Sequence, residues 1–392
     1  MSETCLVSVV IPAYNASATI DETLRSVRSQ SHELLEIHVV DDGSTDNTVM
    51  VAQKHADQDP RIRIIRQDHA GVAAARNRGW QSARADFIGF VDADDLWAPT
   101  KVERELQALI SAGEKTGLAY SWHVRIDAKS RELVKAAPVY CAGDVLDDIL
   151  TWNFVGNGSG ILVRREALHA VNGFDSKLHA AGAQGCEDLL FYCRVAERYH
   201  FAVVPEHLVG YRLLPENMSS NLPSMLRSYM LVADEMAVSH PDRAHRLRLG
   251  VQIYSVALLR VALASRKFGY FATCLALVVR RHPLLAVKAL TFQLPRDVLS
   301  WLRSGLQARL GPRQRGFPEL SSCFRIGEPG AKQKTTAGAV SAEQRAATRG
   351  TNTAAPNSAA GAGAVSVVGV GHSANGLPIG APDPARARPN SR

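Results

Sequence analysis

The stretch Phe87-Ile88-Gly89-Phe90-Val91-Asp92-Ala93-Asp94-Asp95-Leu96-Trp97 decides how this chain is read. It opens as a short apolar run of strand-forming residues and ends in three carboxylates within four positions. Side chains alternate faces along an extended chain, so Asp92 and Asp94 are expected to point the same way from the end of one buried strand. Two anions held that close repel each other unless something positive lies between them. Clustered carboxylate oxygens suit Mg²⁺ or Mn²⁺, which keep coordination positions open for phosphate oxygens. A plainer reading makes Asp94 or Asp95 the cap of a helix starting near Pro99. The stretch alone supports both.

Upstream, Leu6-Val7-Ser8-Val9-Val10-Ile11 has the profile of a strand covered on both faces. Pro12 is expected to end it, leaving Ala13-Tyr14-Asn15 as a loop, and Ser17 to cap a helix with Ile20, Leu24 and Val27 on one face. Ile37 to Val40 reads as the second strand and runs into Asp41-Asp42-Gly43-Ser44-Thr45-Asp46; Asp42 and Gly43 shape that loop, and Asp46 can cap the helix that continues to about His55. Arg61 to Ile65 is a third strand, Gly71 to Ala83 a helix, and Asp86 to Val91 the fourth strand. Strands alternating with helices over short links predict parallel pairing through right-handed crossovers. Ligands of such sheets bind beyond the carboxyl ends of the strands. The loops after Ile11, Val40 and Val91 fall on that edge and carry the polar residues. No GxGxxG follows the first strand and no GxxxxGK[ST] occurs in the sheet region, which argues against dinucleotide-binding and P-loop folds.

Downstream, Pro99 to Ala112 reads as a helix and Leu118 to Trp122 as a strand. Gly156-Asn157-Gly158-Ser159-Gly160 precedes the apolar run Ile161-Leu162-Val163; its glycines permit either a close backbone approach to a ligand or a simple hairpin turn. Gly185-Cys186-Glu187-Asp188 opens a helix with Leu189, Leu190 and Val195 on its apolar side. Two acids in a first turn also suit the helix dipole.

At 392 residues the chain has room for a sizeable core plus an appendage, and 46% apolar with 21% charged residues is ordinary for a soluble protein. The net charge of +7 is uneven. Arg243 to Arg315 holds 14 Lys or Arg against one acid, Asp297, which is +13 and leaves −6 elsewhere. Anionic partners therefore concern only the C-terminal third. That third lacks the aromatic platforms of a single-strand binder, so no nucleic-acid partner is expected. The six cysteines form no CxxC pair and read as reduced thiols, the N-terminus lacks a signal-peptide pattern, and no window gives about 20 consecutive apolar residues. A cytoplasmic location is expected. Arg243 to Leu310 has helical periodicity with cationic, amphipathic faces, which either dock on the preceding domain or lie on an anionic membrane; peripheral membrane attachment is the expectation placed first. From about Glu328 Ala, Gly, Ser, Thr and Pro dominate, and disorder is expected.

Four blocks then stand in order: Val7 to Asn15, Val39 to Thr48, Gly71 to Asn77, and Asp92-Ala93-Asp94-Asp95. Together they resemble family 2 glycosyltransferases, over the first hundred residues closely and to about residue 220 more loosely. The resemblance implies a GT-A fold: an α/β, Rossmann-like, mostly parallel sheet flanked by helices. It implies a catalytic domain over 1–222, to which the downstream pattern and composition add a basic helical region over 223–315 and a disordered tail over 316–392. It assigns the nucleotide to Pro12, Ala13, Tyr14 and Asn15, with Tyr14 stacking on the base or, more plainly, packing the sheet end. Asp41 then accepts the uracil N–H, and Arg76 meets the diphosphate or the metal-site acids unless it is a solvated surface arginine. Asp94 ligates Mg²⁺ or Mn²⁺ with Asp92, which also reaches the ribose. Gly158, Ser159, Gly160 and Glu187 belong to the acceptor or donor-sugar region, Asp188 is the catalytic base, and Arg212 contacts the diphosphate. The QxxRW motif of processive synthases is absent, which implies one sugar per encounter. The expected activity is inverting transfer from a nucleotide-diphosphate sugar, a UDP-sugar foremost, to a glycan or lipid-linked acceptor in cell-surface polysaccharide synthesis. Two alternatives stay open: a sugar-nucleotide nucleotidyltransferase, whose Gly-rich basic loop is replaced here by Pro12 to Asn15, and a non-catalytic sugar-nucleotide-binding scaffold.

Overall fold

The computed structural model describes residues 5–215, 217–288 and 291. The chain opens as β1 (Val7–Ala13), α1 (Ile20–Arg28), β2 (Leu35–Asp41), α2 (Thr48–Ala56), β3 (Ile62–Arg66), α3 (Val72–Ser82) and β4 (Phe87–Phe90). These four strands pair in parallel in the order β3-β2-β1-β4, as the alternation requires. Every residue of β1 and β2 is buried, because helices cover both faces. Period-two alternation divides β1 between two cores: Val7, Val9 and Ile11 join Ile20, Leu24 and Val27 on one side, and Val10 joins Ile88 and Phe90's cluster on the other.

Two boundaries differ from expectation. Pro12 lies inside β1, opposite Val40. Val10 accepts from the Val91 amide, so even-numbered residues of β1 face β4, and β4 pairs only as far as Val10. The missing N–H of Pro12 therefore breaks no ladder bond. Ser17 does not cap α1. Its amide donates to Asp46 Oδ2 (3.0 Å), tying the first loop to the second, and the helix starts only at Ile20. Asp46 also accepts from the Thr48 amide at the start of α2 (2.9 Å).

Beyond β4 the sheet becomes mixed. The elements are β5 (Leu96–Trp97), α4 (Lys101–Ser111), β6 (Thr116–Ile126), β7 (Glu132–Lys135), α5 (Leu146–Thr151), β8 (Ile161–Arg164), α6 (Arg165–Val171), α7 (Lys177–Ala180), α8 (Glu187–Ala196) and β9 (His200–Arg212). The order continues β4-β8-β6-β9-β5, with β7 on β6; β8 runs antiparallel to β4 and β6, while β9 runs parallel to β6. The 13-residue β9 is not announced by the sequence because Pro205 interrupts it. Its pairing steps from Ser121↔Val204 to Trp122↔His207, so Pro205 and Glu206 bulge out of the ladder.

The chain then forms α9 (Leu222–Ser239), α10 (Ala244–Ala264), α11 (Phe268–Arg281) and α12 (Pro283–Lys288). Leu226, Tyr229 and Met230 of α9 and Val251, Leu258 and Leu259 of α10 share one core with Leu189 and Phe191 of α8. Tyr229 donates to the Thr151 carbonyl, and Arg243 and Arg246 both pair with Asp147 of α5. The apolar faces of α9 and α10 are thus packed within the protein, the docking alternative for these two helices. By length and composition Pro241–Ala264 passes for a membrane span, contrary to the reading of uninterrupted apolar runs, which stops at Arg248 and Arg260; 56% of its apolar window is buried inside the protein. The tail expected over 316–392, and most of the basic region beyond Lys288, lie outside the described residues.

Candidate active site

The ends of β1, β2 and β4 bring three loops to one edge of the sheet. In the first, Tyr14 is 48% exposed and stacks on His69, with centroids 4.2 Å apart and planes at 25°. Asn15, at φ +49°, accepts from the Thr45 amide (2.9 Å), so the first two loops brace each other. Asp42 acts as the loop's anchor: it accepts from Gln67 Nε2 (2.7 Å) and the amides of Ala70 and Gly71 (2.9 Å each), and faces His69 Nδ1 at 2.9 Å. Asp41 differs. One of its oxygens accepts from the Ser44 amide (3.2 Å); the other, Oδ2, is buried with no hydrogen-bond partner among the described residues, Arg66 Nε standing 3.6 Å away. A buried carboxylate oxygen left without a donor is an acceptor awaiting one.

The acid loop does not continue the strand. β4 ends at Phe90, and Asp92 to Asp95 form a turn closed by the Asp95 amide on the Asp92 carbonyl (3.0 Å). Strand alternation is therefore not what groups these acids, and none caps α4, which begins at Lys101 after Thr100. Asp95 is buried: it accepts from Ser159 Oγ (2.6 Å) and from the Arg212 amide (2.9 Å). Burial first, then Asp94 and Asp92 nearby, push its carboxyl well above the usual range. Asp92 pairs with Arg76 (2.6 Å). Among the described residues no other side chain or amide hydrogen-bonds the Asp94 carboxylate; burial and the neighbouring Asp92 charge push it up to about 7. Such mutual repulsion is relieved by a cation.

Among the described residues no group of three or more His, Cys, Asp or Glu gathers as a metal cage. A divalent ion serving a diphosphate needs none, since phosphate and water oxygens fill most of its positions. The donor set of Asp94 with Asp92 fits that kind of ion.

Arg76 is no surface arginine. It is 4% exposed, reaches Asp92, and lies over the Phe174 ring (5.3 Å to the centroid) with Asp188 close enough to raise its affinity for a proton. Gly158 is pressed against it: a Cβ there would sit 2.5 Å from Arg76 Nη2. Gly158, Ser159 and Gly160 form a buried 3-10 turn beneath the acid loop, and Ser159 Oγ also accepts from the Asp92 amide (3.0 Å). Glu187 is buried and accepts from the Gly185 amide (2.8 Å). Asp188 opens α8 beside Arg76; burial, partly offset by Arg76 and reinforced by Glu187, pushes its carboxyl up to about 7.

Arg212 requires a correction. Expected on the diphosphate, it is 1% exposed, and its side-chain nitrogens are all engaged within the protein. Nε donates to the Asp94 carbonyl (2.6 Å), Nη2 to Glu22 (2.7 Å), and Nη1 to Ser130 Oγ (3.1 Å) and the Ala128 carbonyl (3.2 Å). Two other residues were given no role by the sequence reading. His69 sits against Tyr14, and Asn77 clamps Phe174 by both its amide and carbonyl (2.9 and 2.7 Å). Gly173, at φ +66°, makes room for that clamp, because a Cβ there would meet Asn77 Oδ1 at 2.4 Å.

The parallel-to-mixed sheet thus carries an acid turn on its carboxyl edge and a buried arginine between two acids. Residues 8–170 match the profile of Glycosyl transferase family 2. An uncharacterized glycosyltransferase of Nostoc sp., alr2836, is 31% identical over 214 residues, 53% of this chain and 64% of its own. The chondroitin synthase of Escherichia coli is 41% identical over 98 residues, 25% of this chain and 14% of its own. The chain spans less than two-thirds of the length of the curated relatives it matches. In fold it is similar to S. aureus TarS 1-349 in complex with UDP (TM-score 0.52, 18% identity, 80% of this chain and 94% of that one). It is similar also to the mannosyltransferase PcManGT from Pyrobaculum calidifontis in complex with GDP-Man and Mn²⁺ (TM-score 0.50, 19% identity, 78% and 81%).

Proposed function

We propose that the protein transfers one sugar, with inversion, from a nucleotide-diphosphate donor to a hydroxyl acceptor. The observation that carries this reading is the juxtaposition of Asp92, Arg76 and Asp188, with the Asp94 carboxylate, hydrogen-bonded by no other described residue, on the same turn. Asp41 Oδ2 receives the imide N–H of uracil, which makes a UDP-sugar the donor tried first, and Tyr14 supplies a stacking face. Asp94 and Asp92 would hold Mg²⁺ or Mn²⁺, which when bound offsets charge on the diphosphate. Asp188 takes the proton of the acceptor hydroxyl as its oxygen bonds to the anomeric carbon. The bond to the diphosphate oxygen breaks with its electron pair, and the nucleoside diphosphate leaves. Arg76 keeps Asp188 and Asp92 apart as charges while holding both near the reacting centre. Release of free nucleotide from a panel of sugar nucleotides, with and without EDTA, tests the reading. No metal-dependent release from any donor would refute it.

The acceptor we place in cell-surface glycan synthesis, at an anionic membrane face. Its support is a groove of about 470 Å³ between α9 and α11, lined by Arg227, Arg280 and Arg281 with Met230, Leu231 and Leu277. Arg281 pairs with Asp234, but neither Arg227 nor Arg280 has an ion-pair partner among the described residues. Val279, Leu284 and Val287 stand exposed nearby in sequence, Leu284 at 85%. Each basic residue near an anionic surface contributes about 1 kcal/mol. Replacing both Arg227 and Arg280 by Ala is therefore expected to weaken flotation with phosphatidylglycerol vesicles about 30-fold, with neutral vesicles binding neither protein. Unchanged flotation of the double variant would remove this surface from the account.

A further inference from the structure

Asp94 carries the only carboxylate of the acid turn whose direction no described side chain or neighbouring amide fixes. Asp92 is held by Arg76, and Asp95 by Ser159 and the Arg212 amide. The direction of Asp94 must then come from its main chain, and that main chain is unusually constrained. Thr23 Oγ1 of α1 lies 3.0 Å from the Ala93 carbonyl and 2.9 Å from the Asp95 carbonyl. Arg212 Nε takes the Asp94 carbonyl between them at 2.6 Å. Three successive carbonyls thus face two buried donors, the single Thr23 hydroxyl proton being shared between Ala93 and Asp95.

The guanidinium is fixed in turn. Glu22, one position before Thr23 on α1, accepts from Arg212 Nη2 and from Ser130 Oγ (2.7 Å each), and Ser130 accepts from Arg212 Nη1. Ser130 belongs to the turn between β6 and β7, so α1, that turn and the end of β9 all converge on the acid loop. A buried arginine is a costly fastening for a turn, and packing alone holds turns more cheaply. What its planar fork adds is direction, delivered to several acceptors at once.

We infer that Arg212, with Glu22, is a positioning residue that aims the Asp94 carboxylate at the divalent cation. The inference rests on the metal reading proposed above. Neither residue touches the ion or the donor; both act through the Asp94 main chain, in the way that groups behind a metal ligand set its orientation.

The test is Mn²⁺ binding to the full-length chain, read by the electron paramagnetic resonance of free Mn²⁺ in the presence of UDP. Wild type is compared with Glu22→Gln, Arg212→Lys and, as a control, Arg104→Ala, which breaks an exposed ion pair with Glu206. Groups behind a metal ligand are worth about 10- to 100-fold in affinity, so Glu22→Gln is expected at the lower and Arg212→Lys at the upper end of that range. UDP affinity in EDTA and the metal-free melting temperature of Glu22→Gln are expected to stay at wild-type values, as is Mn²⁺ binding by Arg104→Ala. Should Arg212→Lys fail to fold, Glu22→Gln decides alone, because its carboxylate is 42% exposed. Wild-type Mn²⁺ affinity in the variants overturns the lock and leaves the metal reading standing. Equal losses of Mn²⁺ and metal-free UDP binding also overturn it, as a general disturbance. Failure of the wild type to bind Mn²⁺ with UDP ends the metal reading itself, and the lock with it.

Discussion

Asp188→Asn is expected to bind its sugar nucleotide as wild type does and to lose transfer by about three orders of magnitude or more. General-base assistance contributes roughly 10²- to 10⁴-fold, and the amide cannot take a proton. Nucleotide affinity by calorimetry and single-turnover transfer measure the two halves separately. Near-wild-type turnover would remove Asp188 from the role. The acid has a second signature. Its carboxyl is pushed up to about 7, and a base works only when ionised. kcat/KM should therefore rise with pH, reach half its plateau near pH 7, and fall about tenfold per unit below that. A flat profile between pH 5.5 and 8 would contradict the assignment.

Asp94→Ala is expected to have the next largest effect: loss of Mn²⁺- or Mg²⁺-dependent donor binding by about two orders of magnitude or more, with the melting temperature unchanged or raised. The sign of the stability change follows from the repulsion. The wild-type carboxylate is buried and crowded by Asp92, and these costs outweigh the favourable Arg212 charge and its own amide, so the fold gains more than it loses when it is removed. EDTA-treated wild type should behave like the variant. Full transfer by chelated wild type would dismiss the ion altogether.

The first half of the sheet was legible because its signals are local. Unbroken β-branched runs, helical spacing at Ile20, Leu24 and Val27, and acids after each strand all lie within short windows. The second half was not, because its order depends on partners far away. β9 hides behind Pro205, and β5 is two residues long and exists only through β9. The site divides in the same way. Asp92, Arg76 and Asp188 carry motifs and fall close together, as the pKa-shifting influence of Asp188 on Arg76 shows. The use made of Arg212 was illegible: a cation near the end of a domain reads as an anion contact, and only the folded chain reveals Glu22, Ser130 and the Asp94 carbonyl around it. Asn77 likewise appears in sequence as part of a motif, while its work on Phe174 spans 97 residues.

The placement of the acid turn between β4 and β5 also fixes when it can form. β1 to β4 pair among themselves and can assemble once the first ninety or so residues are available, each contact closing a modest loop. β5 has no such local partner; Leu96 and Trp97 pair only with Gly210 and Val209. Asp95 waits 117 residues for the Arg212 amide. During synthesis the parallel edge has its partners early, while the acid turn still lacks the fastenings that β9 brings. Chains nicked before β9 would lack both the β5 pairing and the Arg212 amide on Asp95.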